Sequence, residues 1–135
     1  MSPNNLPTYF SAILPQEKND YLNLIVVGWE KCTAEFTYSQ YRDMYIIHYI
    51  KSGCGTIEKN GRKYQLSAND AFIVRPKELL IQTADKQSPW ELYYFAFNGK
   101  LAEQLLEKTV FCNSKTIAHL DENDFPETIS SKTIE

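Results

Sequence analysis

No run of about 18 apolar residues occurs in this chain, so nothing in it reads as a membrane-spanning helix. The first twenty residues, MSPNNLPTYFSAILPQEKND, lack both a basic start and a sustained apolar stretch, which argues against a secretion signal there. A basic excess is lacking too: 14 Lys and Arg stand against 17 Asp and Glu, for a formal net charge of −3. An autonomous nucleic-acid binder carries the opposite balance, because phosphate contacts dominate its affinity. Cys32, Cys54 and Cys112 are odd in number and widely spaced, so they form no metal or redox motif. Reduced thiols in a cytoplasm are the simplest account of them. Histidine is scarcer still, with His48 and His119 alone. Imidazole metal sites use two or three His plus a carboxylate, and one here would have to recruit both from distant segments. No cofactor is expected. Internal repeats and low-complexity segments are also lacking.

Aromatic residues, in contrast, are plentiful at 13%, with nine Tyr and seven Phe among 135 residues. That suits strands and a binding cavity. The length suggests one domain with a core of its own. Residues 1–20 are polar, carry three prolines and read as an arm, either disordered or laid across the domain. From residue 22 the pattern turns strand-like. LNLIVVGWE is a short apolar run, CTAEFTY alternates loosely, and YIIHYI reads as a strand buried on both faces. TIEKNGRKYQL is the clearest local signal, because Asn60-Gly61 between two strand-like pieces predicts a type I′ hairpin. SAND is a turn, and Asn69 suits a left-handed backbone there. AFIV, LLIQT and the aromatic WELYYFAF are further strands. KLAEQLLEKTVF places Leu101, Leu105 and Leu106 at helical spacing. Residues 113–124 read as polar loop, and a second helix is expected to begin near residue 124. Seven or eight short strands followed by a helix predict a closed barrel or a sandwich, and a barrel of about eight strands has room for one small ligand.

The stretch YRDMYIIHYIKSGCGTIEKNGRKYQLSANDAFIVRPKE, followed by ADKQSPWELYYFAFNG, resembles the ligand-binding domain of arabinose-regulator (AraC-type) transcription regulators. The carrying positions are Arg42, Tyr45, Gly53, Gly55, Gly61, Asp70, Pro76, Trp90, Phe97 and Gly99, whose joint spacing over about sixty residues makes the match. The resemblance implies a mainly β, cupin-like double-stranded β-helix (jelly-roll) barrel with one or two C-terminal α-helices. It divides the chain into an arm (1–20), an effector-binding barrel (21–99) and a helical segment (100–135) that leads toward dimerisation helices. It further implies a small-molecule effector, often a sugar, a homodimer, a cytoplasmic location, and DNA contact only through helix-turn-helix units outside these residues. There are two departures. Asn69 stands where the family usually has Gly before Asp70. Leu80 and Gln82 stand where many relatives carry His or Tyr. The His-x-His of metal-dependent cupins has no counterpart in TIEKNGRKYQL.

Alternation puts Trp90, Leu92, Tyr94 and Ala96 on one face of the aromatic strand. By family position Tyr94 is an aromatic platform for a sugar ring; Trp90 is a candidate ligand residue beside it, and the alternative is that both simply fill the barrel core. Arg42 is either a guanidinium fork for ligand oxygens or a surface partner of Asp43. Tyr38, Gln82, Leu80 and Leu92 complete the candidate site. His48, flanked by Ile46 and Ile50, is either a packed histidine or a ligand group, and His119 reads as a solvated loop residue. By resemblance the arm covers the ligand with Pro7, Thr8 and Tyr9. The rival reading is a small stand-alone cupin enzyme, a sugar isomerase or epimerase without metal, with His48 and Glu58 or Tyr45 as its acid and base. The sensor reading makes the chain no enzyme.

Overall fold

A computed structural model of the chain describes residues 6–15, 20–39 and 42–120. Its elements follow in the order β1 (Thr8–Ile13), β2 (Asn23–Lys31), β3 (Thr37–Tyr38), β4 (Tyr45–Ser52), β5 (Cys54–Lys59), β6 (Arg62–Ser67), β7 (Asp70–Val74), β8 (Ile81–Ala84), β9 (Glu91–Asn98), α1 (Ala102–Leu106) and β10 (Ile117–His119). They build two facing sheets, a six-stranded one in the order β1-β2-β9-β4-β7-β10 and a four-stranded one in the order β3-β8-β5-β6. All the paired strands are antiparallel.

Strand alternation sends side chains to two cores. In β7, Phe72 and Val74 join a cluster drawn from both sheets, with Ile50, Ile57, Leu66, Leu80, Trp90 and Leu92. Ala71 and Ile73 face the other way, into a cluster with Phe97, Ala102, Leu106 and Phe111 beneath α1. Every residue of β7 is therefore buried.

The chain passes between sheets at corners that need unusual backbone. Gly53, between β4 and β5, takes φ 76°, and a Cβ there would meet the Pro89 carbonyl oxygen at 2.5 Å. Asn69, between β6 and β7, takes φ 73°, and the Asp70 carboxylate accepts the Ser67 N–H at 2.9 Å. The β5–β6 hairpin turns at Asn60 and Gly61, φ 53° and 78°, with Lys59 opposite Arg62, as the Asn-Gly pair predicts.

The mainly β barrel expected from sequence is thus the fold, with corrections in detail. Part of the arm is a strand: all six residues of β1 pair with β2, from Thr8 opposite Lys31 to Ile13 opposite Val26. TYFSAI sits between Pro7 and Pro15, so its prolines flank the strand rather than interrupt it. The polar stretch after residue 113 contains β10, which pairs with Asp70, Ala71 and Phe72. His119 is accordingly a strand residue, and its Nδ1 lies 2.7 Å from the Asp70 carboxylate. Of CTAEFTY only Thr37 and Tyr38 form a strand. The helix is a short one, Ala102–Leu106, and Leu101 and Leu105 stay exposed while Ala102 and Leu106 are buried. The second helix expected near residue 124 lies outside the described residues.

Arg75 directly follows β7. Its Nε donates to Glu103 at 3.1 Å, Nη1 to the Lys115 carbonyl at 2.9 Å and Nη2 to the Phe111 carbonyl at 3.1 Å. One nearly buried guanidinium thus ties α1 and the loop before β10 to the end of β7. Arg75→Ala is expected to lower stability by about 1.5–3 kcal/mol in urea denaturation, the usual range for bonds to a charged group. Amide exchange should quicken across residues 107–116. A stability change below about 0.5 kcal/mol, typical of an inert surface site, would contradict this role.

Candidate ligand-binding cavity

The interior between the sheets is solid at one end and hollow at the other. At the solid end Trp90, 1% exposed, lies against Gly55, where a Cβ would meet the indole at 2.5 Å. The indole stacks beside Phe72 at 5.9 Å, and Ile50, Ile57, Leu66, Leu80 and Leu92 close around it. At the other end is a cavity of about 630 Å³. Strand register lays out its wall in rows. Ser11, Gly28, Tyr94 and His48 form one row across β1, β2, β9 and β4, and Ile13, Val26, Ala96 and Ile46 form the next. In a third row Tyr9 and Glu30 face the cavity, while their neighbours Leu92 and Ile50 belong to the solid end.

Gly28 sets the pose of the key aromatic residue. A Cβ at that position would overlap the Tyr94 ring, so the ring lies flat across the glycine toward the edge strand. Burial holds the Tyr94 hydroxyl above its usual pKa range, with help from the Glu30 charge and against a hydrogen bond from Ser11. Tyr38 and Arg42 act on the same hydroxyl, which places these groups around one polar centre. Arg42 itself donates from Nη2 to the Tyr38 hydroxyl at 3.0 Å. Opposite, on the smaller sheet, Gln82 is 8% exposed and sits across from Tyr38 in register.

The sequence-predicted residues divide accordingly. Tyr94, Arg42, Gln82, Tyr38, His48, Pro7 and Tyr9 line the cavity together. Trp90, Leu80 and Leu92 do not. They point inward as alternation predicts, but at the packed end, where each is 1% exposed. Thr8 is also excluded, because in β1 it alternates with Tyr9, Ser11 and Ile13, which take the inner face.

Glu30 is the residue that sequence reading passed over. It lines the cavity beside Cys32, whose thiol donates to it. Burial raises the Glu30 carboxyl above its ordinary range, and the Cys32 bond opposes that. Burial and the Glu30 charge push the Cys32 thiol up to about 12. The available signal was parity: Val26, Gly28 and Glu30 share one face of β2, so a charge in GWEKC had to look inward. Glu30 and Arg42 are the charged groups among the described lining residues, one of each sign.

His48 is 6% exposed, and its ring stacks on Phe72 at 4.4 Å and 7°. Burial pushes its pKa down to about 3, so the ring is neutral at ordinary pH. Two or three imidazoles with a carboxylate would suit a first-row metal, whereas His48 and Glu30 are the donors of that kind on this wall. The set does not fit a cupin metal. Among the described residues no cluster of three His, Cys, Asp or Glu is placed to hold one. No helix among them is long and apolar enough to cross a membrane.

Solved structures similar to this one include cupin domains. The cupin domain of Cnp3 from Schizosaccharomyces pombe matches with a TM-score of 0.56 at 13% identity, over 73% of this chain and 69% of that one. The cupin domain of an XRE-family transcriptional regulator from Enterobacter cloacae matches at 0.53 and 6% identity, over 67% of this chain and 94% of that one. A salicylate 1,2-dioxygenase from Pseudaminobacter salicylatoxidans matches at 0.53 and 16%, over 67% and 26%. At such identities the likeness defines the class by fold: a cupin-type barrel. Its sequence narrows the class further. Residues 24–126 match the model of the AraC-like ligand binding domain, and the chain belongs to that family. It is 34% identical to the Msm operon regulatory protein of Streptococcus mutans over 94 residues, which are 64% of this chain and 34% of the relative. It is equally 34% identical to the raffinose operon transcriptional regulatory protein RafR of Pediococcus pentosaceus over 80 residues, 57% of this chain and 29% of the relative. The chain thus spans about a third of the length of these curated relatives.

Two measurements check the wall. Gly28→Ala should displace the Tyr94 ring and cost about 1–3 kcal/mol of stability, as overpacking does. An unchanged urea midpoint would mean that the ring has room to spare. The second concerns pH. His48 takes a proton in the unfolded chain below about pH 6.5 but not in the folded one until about 3, so its contribution to stability is lost as pH falls through that window. Glu30, with its carboxyl raised, contributes the opposite slope. Between pH 7 and 5 the wild type should therefore lose about 2 kcal/mol more than His48→Phe. Equal losses in the two proteins would show that His48 is not held neutral.

Proposed function

We propose that this domain senses a neutral sugar, a mono- or oligosaccharide, as the effector-binding part of a bacterial transcription regulator of sugar-utilisation genes. One observation carries the reading: a cavity of about 630 Å³ whose wall is an aromatic ring, Tyr94, laid flat among convergent polar groups. Small-molecule sites have volumes of roughly 300–1,000 Å³ and combine apolar walls with a few placed polar groups. The C–H face of a pyranose covers an aromatic ring well. Arg42, with the hydroxyls of Tyr38 and Tyr94, supplies donors for ligand oxygens, and Glu30 accepts from ligand hydroxyls. Glu30 and Arg42 balance in sign, which favours a ligand without net charge. The name of one relative, the raffinose operon regulator, agrees with a sugar.

Pro7, Tyr9 and Ser11 bring the edge strand β1 into the site, so a bound ligand bridges β1 and the barrel. DNA contact falls to a helix-turn-helix portion beyond these residues, in keeping with the acidic charge of the domain. A homodimer in the cytoplasm completes the reading. The rival, a metal-free cupin enzyme, loses its named acid/base pairs. Tyr45 stacks on Phe97 at 5.2 Å away from the cavity, and Glu58 is not among the lining residues.

A thermal-shift panel of raffinose, melibiose, sucrose, galactose and glucose, with and without chelator, tests this. A sugar at a hundred times its Kd should stabilise the protein by about 2.7 kcal/mol, with no effect of chelator. Tyr94→Ala and Arg42→Ala should each weaken that sugar tenfold or more in calorimetric titration. Silence across the panel, or full affinity in both variants, would overturn the sugar site.

A further inference from the structure

One polar atom in the cavity wall has no partner of its own. Nδ1 of His48 is buried and makes no hydrogen bond among the described residues. The residue sits in the row of Ser11, Gly28 and Tyr94 and lines the cavity. Its ring is held in place by stacking on Phe72 at 4.4 Å, with Tyr94 tilted toward it at 6.1 Å. Buried polar groups in folded proteins are nearly always paired, and one that is not calls for an explanation in function or in a ligand. A packed histidine would show a protein partner for that nitrogen, and this one shows none.

The chemistry of the ring narrows what completes it. Burial keeps the imidazole neutral, so it offers one N–H and one lone pair and no charge. A half turn about the Cβ–Cγ bond exchanges Nδ1 with Cδ2 while the ring keeps its place on Phe72, so either edge can be brought to the cavity. A hydroxyl both donates and accepts, and therefore suits either tautomer. A carboxylate only accepts and an ammonium only donates, and each would have to leave water to stand against the neutral, aromatic His48–Phe72 pair.

We propose that His48 is a specificity-determining residue of this cavity, taking a hydroxyl of an uncharged polyhydroxyl ligand on its imidazole edge. This rests on the sugar-sensing reading of the same cavity and adds to it the group that selects for a hydroxyl at the inner wall. In this arrangement Tyr94 provides area, Arg42 and Glu30 provide orientation, and His48 discriminates. A ligand that lacks the inner hydroxyl leaves the imidazole unpaired, and a site built to hydrogen-bond a hydroxyl rejects the analogue without it strongly.

The test compares wild type, His48→Phe and His48→Gln at pH 7.5. The probe is whichever of raffinose, melibiose, sucrose and galactose shifts the wild type most. Phenylalanine keeps the stack on Phe72 and removes both nitrogens, whereas glutamine keeps a donor and an acceptor. Expected are an unliganded His48→Phe that melts at or above the wild-type temperature, at least tenfold weaker sugar binding by that variant, and partial recovery in His48→Gln. Sugar affinity in His48→Phe within twofold of wild type overturns this inference and leaves the sugar site standing. A large drop in melting temperature of unliganded His48→Phe also overturns it, since the nitrogen would then serve the fold. No shift of the wild type by any sugar sinks both the sugar reading and this one.

Discussion

Trp90 rests its indole on Gly55 and beside Phe72, and the aliphatic side chains of both sheets close around it. That contact divides the interior. On its far side the two sheets are joined by close packing, at the density typical of protein interiors. On its near side they are held apart, and the space between them remains. The same inward face of β9 therefore carries Trp90 and Leu92 as core and Tyr94 and Ala96 as cavity wall. A large aromatic at one end of the strand is what makes room for a ligand at the other, because it supplies the stability that a hollow barrel of this size would lack.

The cavity that results is unusual in its charges. A carboxylate and a guanidinium share a mostly apolar wall, each drawn partly out of water, and a neutral imidazole lies deeper. Such groups are costly to bury and stay only where packing or a partner holds them. Arg42 has Tyr38, and Glu30 has the Cys32 thiol. The strand β1 adds a further asymmetry. It is an edge strand that pairs with β2, yet it supplies Tyr9, Ser11 and Ile13 to the wall. Part of the site thus stands on the sheet's centre and part on an edge strand.

Much of the fold was legible in the residues. Asn60-Gly61 set the hairpin, Asn69-Asp70 marked a turn, and alternation along WELYYFAF told inside from outside. Alternation reports only which face a residue takes, however, and not how far along the barrel axis it lies. That is why Trp90, Leu80 and Leu92 were grouped with Tyr94, although only the last meets the cavity. Depth along the axis depends on which strands lie opposite one another, a long-range property that Gly55 and Trp90 settle together across 35 positions. The strand β1 was hidden for a different reason. Its side chains are mostly exposed, so TYFSAI has little apolar contrast, and its pairing depends on a partner far down the chain. Glu30 was overlooked because a glutamate at a strand's end is ordinarily read as solvent-facing.

The Tyr94 ring fits only because position 28 has no side chain, and this ties two places 66 residues apart into one unit of inheritance. Neither can change alone without loss. A lineage that replaces the glycine must first or simultaneously shrink the aromatic residue across the strand pair, and one that enlarges the ring has nowhere to put it unless the glycine stays. Among descendants of this domain the two positions should therefore drift as a pair. A change of effector would then be recorded in β2, at a position that touches no ligand, as clearly as in the platform itself.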